Sequence, residues 1–186
     1  RVRADLLVFR SSFMAAEAVL DFYGDAVGTR GNEAIGTYMR ACDTLATSSM
    51  RAVLAPLGRR SPPVLTYVDK GLGASILKAG LRLWDGRAVS PVAAIKIVRH
   101  NLQRPTALIH ETGHQVAHEL GWNEQLAALF KRGLERHGSD LAHHWASWAS
   151  AIAADAFAFG HTGFGAVAAL HDVLAGEPEW VVRHVP

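Results

Sequence analysis

The chain has 186 residues, 49% of them hydrophobic and only 19% charged, which suits one globular domain with a real core and excludes disorder along its whole length. A single cysteine, Cys42, excludes an internal disulfide framework, and no apolar run reaches the roughly 18 residues of a membrane span. The net charge of +2 hides an asymmetry: residues 1–105 carry 15 Lys and Arg against 8 Asp and Glu, residues 106–186 carry 4 against 9, and nine of the ten histidines lie from His110 onward. Arg30, Arg40 and Arg51 are spread along the basic half without forming a stripe. They read as solvated surface, and no nucleic-acid partner is expected.

In chain order, Leu6, Phe9, Phe13, Ala16 and Leu20 recur at spacings of three and four. That pattern predicts a helix over 5–23 with one apolar stripe, broken by Gly24 and the Gly28–Gly31 segment. Residues 33–55 repeat the pattern with Ile35, Met39, Cys42, Leu45 and Ala46 on one side, where Met and Cys serve as core filler. Val64–Val68 is β-branched and aromatic and reads as a strand. Gly71-Leu72-Gly73 lacks the third glycine of a dinucleotide loop and reads as a turn. Leu81–Trp84 alternates and predicts a second strand, closed by Asp85-Gly86. Ser90-Pro91 has the form of a helix start, with Val92, Ile95, Val98 and Leu102 sharing a face.

Pro105 opens the next helix, which Gly121 ends after Leu120. Asn123 is the expected cap of a helix to about His137, Ser139 of a long helix over about 140–159 ending at Gly160, and 166–175 is a last helical stretch. The expected fold is mainly α with a small β-sheet (α+β). It forms one domain over 1–186, with a helical part over about 1–60 and a chemistry-bearing part over about 61–186.

His110-Glu111-Thr112-Gly113-His114 carries the chemistry. Four residues of α-helix turn about 400°, so the two imidazoles lie about 40° apart, one turn up. Both can then reach one zinc ion at about 2.0–2.1 Å. Glu111 projects beside them, where it can take a proton from a water the metal activates. Ile109, Thr112, Val116 and Leu120 form the core-facing stripe of the same helix, and Gly113 allows another backbone to come close. Two histidines and a water leave a catalytic zinc one protein ligand short. A third His six residues after the second is excluded by Leu120, and His118, a further turn along, is a pocket candidate.

The segment Ser150–Phe157 resembles the downstream helix of the gluzincin metallopeptidases, the thermolysin-like clan, in which Glu-x-x-Ala-Asp follows His-Glu-x-x-His. The resemblance covers roughly residues 105–160 and implies a zincin-like packing of the active-site helix on a second long helix. It implies zinc on His110 and His114, with Glu111 as catalytic base. Ala154-Asp155 matches the end of the pattern, which implies that Asp155 orients a ligating histidine. Where the family has its ligating Glu, this chain has Ala151. Asp155 is therefore also a candidate third ligand, as are His143, His144 and His161; His144 and Ala151 are pocket candidates. Natural degeneracy and an engineered Glu-to-Ala change remain the other readings of position 151.

The function expected from these residues is zinc-dependent hydrolysis of a peptide or protein substrate, with an oxyanion stabiliser drawn from the histidines of 137–161. The alternative is a degenerate pseudopeptidase, its zinc weakly bound or absent, serving as a binding or regulatory module. Ser147, Ser150 and Cys42 lack the neighbours of a covalent nucleophile. His143-His144 with Trp145 and Trp148 reads as helix packing rather than a binding groove.

Overall fold

A computed structural model of the chain describes residues 2–70, 73–83 and 88–174. Helix α1 spans Val2–Gly28. Asn32 opens α2 (Glu33–Leu54) by accepting the N–H groups of Ala34 and Ile35 at 3.0 and 3.2 Å. Met39 and Ala46 are buried on the predicted face of α2, with Ile35 and Cys42 packed against the same cluster, whereas Leu45 remains 39% exposed. In α1 the outcome differs from the expectation. The helix runs through Gly24, and its apolar stripe from Leu6 to Leu20 faces solvent. Its C-terminal part is tied to the body, where Tyr23 hydrogen-bonds Ser90 at 2.9 Å and Phe22 meets Tyr67 edge to face.

Val64–Val68 forms strand β1, as its composition predicts. The second strand, β2, falls at Ser75–Leu77 and not over 81–84. Ile76 packs on the core and pairs with Ile95, while Leu81 is exposed. The 81–83 segment meets 88–90 through an Arg82–Val89 bridge outside the sheet, flanked by the Ser90 N–H to Leu81 carbonyl and Leu83 N–H to Ala88 carbonyl bonds, both 2.8 Å. Gly71-Leu72, Trp84 and Asp85-Gly86 lie outside the described residues.

The helix predicted from Ser90 is instead β3, Ala93–Ile97, the central strand of a mixed sheet ordered β1-β3-β2. Val92, Ile95, Val98 and Leu102 mimic a helical face. The segment is nevertheless a short apolar run buried on both faces, which periodicity alone cannot tell from a strand. β1 runs parallel to β3 with Val64 opposite Ala93; β2 runs antiparallel with Ser75 opposite Lys96.

Helix α3, Thr106–Leu120, keeps its predicted bounds. Gly121 closes it in the left-handed conformation (φ 66°), its N–H reaching the carbonyls of Ala117 and His118. In α4 (Trp122–Leu134) the cap position belongs to Gly121. Asn123 sits inside the first turn, its Oδ1 buried without a partner. The predicted long helix over 140–159 is two helices, α5 (Ser139–Ser147) and α6 (Ala149–Thr162), broken at Trp148. There the backbone tightens, Trp148 N–H bonding the Trp145 carbonyl at 3.3 Å while the two indoles pack edge to face. α6 continues past Gly160 and ends at Gly163; packing outweighs the roughly 1 kcal/mol that a mid-helix glycine costs. α7 is Phe164–Leu174, and Ala175 lies outside the described residues.

The chain is thus mainly helical with a small mixed sheet, an α+β arrangement. The core sits on both sides of α3. Leu108 joins Met39, Ala46, Ile95 and Ile97 on the sheet side. Ile109 and Val116 join Met50, Leu54 and Phe157 on the other. Each of the larger side chains contributes roughly 1.5–3 kcal/mol by leaving water. That clamp fixes the helix that carries His110, Glu111 and His114.

Candidate functional site

Two helices build the site, and a glycine sets their separation. A Cβ on Gly113 would lie 2.9 Å from both Cα and O of Ala154 and 3.1 Å from Cβ of Phe157. The backbones of α3 and α6 therefore touch at a point where only glycine fits. The helices run antiparallel through this contact, so residues before Gly113 meet residues after Ala154.

His110 accordingly meets Asp155: its Nδ1–H donates to Oδ1 at 2.8 Å. His114, one turn on, meets Ser150, with Nδ1 and Oγ 2.9 Å apart. With each Nδ1 taken by α6, Nε2 is the nitrogen each ring keeps for a further ligand. The ring centroids stand 4.8 Å apart at an interplanar angle of 87°. Two imidazoles bound through nitrogen at about 2.0–2.1 Å to one tetrahedral ion have centroids about 5 Å apart. The centroid separation observed here is close to that value. Among the described residues, no set of three or more His, Cys, Asp or Glu side chains converges as a complete metal-binding group.

Glu111 is only 8% exposed, and burial raises its carboxyl pKa against the opposing charges of His110, Lys78 and Lys96. His114 is pushed down to about 4, first by burial and then by His110 and Lys78, so its ring is neutral at pH 7. Burial also acts to lower His110, but the hydrogen bond and charge of Asp155, aided by Glu111, prevail and raise it. Lys78 is lowered by burial against the pull of Glu111 and Glu124.

A cavity of about 400 Å³ opens on one side, lined by His110, Glu111 and Asp155 together with Asn101, Arg104 and apolar residues of α7 such as Ala166 and Leu170. The other candidates stand apart from its lining. His118 faces Gly80, its Nε2 3.7 Å from where a Cβ there would lie. His144 is exposed on α5. Ala151 is exposed on α6, one turn before Asp155. The histidines expected to stabilise an oxyanion are tied elsewhere: His143 Nδ1 to the Ser139 carbonyl at 2.7 Å, His161 Nδ1 to the Phe157 carbonyl at 3.0 Å, and His137 Nε2 to Arg136 Nε at 3.0 Å. Trp145 is 40% exposed and packs on Phe130 and Trp148, so it is not a core residue.

Ser150, set aside from the sequence for want of nucleophile neighbours, was not foreseen as the partner of His114. Once Asp155 is set opposite His110, antiparallel helices bring a residue about one turn earlier opposite His114, and that rule would have found it. Gln115 was also passed over. Fully buried, it accepts the Ala79 N–H at 2.9 Å and donates to Glu119 at 2.9 Å, tying the segment after β2 to α3. The chain matches no family model, no curated protein and no solved structure.

Proposed function

We propose that this chain is a zinc-dependent, gluzincin-type metallopeptidase-like hydrolase acting on a peptide or protein substrate, with Glu111 as general base. The observation that carries the reading is the pair of histidine Nδ1 contacts made by α6 beside a buried glutamate. Zinc, when bound, would polarise the scissile carbonyl and bring the pKa of a water down to about 7. The chain's own residues do the rest. Asp155 fixes the tautomer of His110, and Ser150 orients His114, whose neutral ring keeps a lone pair on Nε2. A carboxylate with a raised pKa accepts a proton more readily, so Glu111 can take one from the attacking water and return it to the leaving amine. β2, at the margin of the described sheet and in contact with α3, offers an extended peptide a backbone to pair with.

One observation favours a second reading, a pseudopeptidase that binds without cleaving: the methyl group of Ala151 stands where the resemblance calls for a ligating carboxylate. Zinc stoichiometry by mass spectrometry, with cleavage of a mixed peptide library, decides between them. Zinc binding with cleavage that Glu111→Gln abolishes supports the hydrolase. Zinc binding or peptide binding without cleavage supports the second reading. Failure of zinc to bind at micromolar concentration overturns the first.

A further inference from the structure

We propose that α1 is a self-association element through which two copies of this chain pair as an antiparallel coiled coil. Leu6, Phe9, Phe13, Ala16 and Leu20 alternate at spacings of three and four, the a and d positions of successive heptads. The protomer leaves that seam uncovered: Leu6 is 61% exposed, Phe9 69%, Phe13 55% and Leu20 71%. The covered positions of α1 fall on a different face: Ala15, Val19 and Phe22 are half-buried and Ala26 is buried. At about 100° per residue the seam is centred about 130° around the helix from that face. A stripe of large apolar side chains aimed at solvent marks an interaction surface.

Charge selects the occupant. Arg10 and Glu17 occupy the same flanking position of consecutive heptads. They stand about 10 Å apart along the helix, too far to pair with each other. Neither has an opposite charge three or four residues away on its own helix. In an antiparallel pair Arg10 of one copy meets Glu17 of the other, twice about the two-fold axis. The same register sets Phe13 against Ala16 and Leu20 against Phe9, pairing large with small at the centre. It also carries the two bodies to opposite ends, because each joins α1 near its C-terminus. A lipid surface fits less well. Arg3 and Arg10 are outnumbered by Asp5, Glu17, Asp21 and Asp25, and anionic membranes select basic helices.

The exposed Phe and Leu side chains of two copies offer on the order of 1,000 Å², the lower bound of a specific interface, so a weak, concentration-dependent dimer is expected. Sedimentation equilibrium of the full chain over a concentration series from about 1 to 200 μM, the span in which interfaces near the lower size limit show their dissociation, tests it. A monomer–dimer equilibrium is expected, and Phe13→Asp abolishes it. Arg10→Glu and Glu17→Arg each weaken the dimer about tenfold, because each turns two attractions into two repulsions. The double variant Arg10→Glu/Glu17→Arg returns to within about threefold of the parent. All three substituted positions face solvent, and circular dichroism checks that each variant folds. A monomer at every concentration overturns the proposal, including one that binds lipid vesicles. So does a dimer that survives Phe13→Asp, or a charge swap that fails to restore pairing.

Discussion

Asp155 Oδ1 stands 2.8 Å from Nδ1 of His110 beside the close α3–α6 contact at Gly113, and the carboxylate is what raises the imidazole's pKa against burial. A carboxylate in this position fixes which ring nitrogen carries the proton and strengthens the other as a donor to a metal. Asp155→Asn keeps the shape and loses the charge. Zinc affinity is expected to fall about 10-fold, and about 100-fold for Asp155→Ala, the range known for such supporting carboxylates. Competition titration against a fluorescent chelator measures both. Unchanged affinity in Asp155→Ala would remove Asp155 from the site.

Gly113 and Gly133 give opposite outcomes to the same substitution. Both lie within helices, where alanine is the better residue by about 1 kcal/mol. At Gly133 nothing lies within 4 Å of the added Cβ, so Gly133→Ala is expected to stabilise by about 0.5–1 kcal/mol. At Gly113 the Cβ would meet backbone atoms of Ala154 at 2.9 Å, and α6 must move away. Gly113→Ala is expected to destabilise by about 1–3 kcal/mol, the range for overpacking, and to weaken zinc binding by spoiling both Nδ1 contacts. Urea unfolding of the two variants provides the comparison. Equal effects would mean that the backbone contact at Gly113 is looser than described.

The histidine pair also makes stability depend on pH. His114 titrates near 4 in the folded protein against an ordinary 6.5, so the unfolded chain takes up its proton first. The contribution is present above pH 6.5 and is lost as the pH falls from about 6.5 toward 4. Glu111, raised by burial, and His110, raised by Asp155, act in the opposite sense, costing stability as the pH rises above their ordinary 4.5 and 6.5. Denaturation in chelator from pH 4 to 8 is therefore expected to show a loss below about 6.5 that is flatter in His114→Gln. Parallel curves for parent and variant would show that His114 is not held neutral.

How much of this was legible in the sequence depends on what each signal rests on. The bounds of α3, the core-facing positions of Ile109 and Val116, and the close approach at Gly113 were all readable, because capping, periodicity and the missing Cβ are local properties. β3 was misread because a short apolar run carries the same spacing whether it lies in a sheet or a helix; the partners β1 and β2 decide, and they are distant in sequence. The seam of α1 was legible as a stripe but not as an exposed one, since periodicity names a face and not what covers it. The break at Trp148 depends on indole packing against Trp145 and escaped the helix count for the same reason.

Ala151 is placed to test whether a third ligand is what the site lacks. It lies one turn before Asp155 and beside Ser150, and these two residues hold His110 and His114. At about 100° per residue its Cβ direction falls between those of Ala154, which packs on Gly113, and Asp155. It is also exposed, so a longer side chain there meets no wall. A glutamate at this position adds a carboxylate on the histidine side of α6 and turns a two-nitrogen site into a three-ligand one. Ala151→Glu is therefore expected to tighten zinc binding at least about 10-fold and to raise or create peptide cleavage. Glu111→Gln in the same background should abolish cleavage and leave zinc bound, since the base is not a ligand. Isothermal titration with zinc and a quenched-peptide assay on the three proteins separate the steps. Tighter zinc without cleavage would place the missing function in substrate binding or in Glu111 rather than in the metal. Equal zinc affinity in parent and variant would mean that another group already completes the site, and the loss-of-ligand account of position 151 would be abandoned.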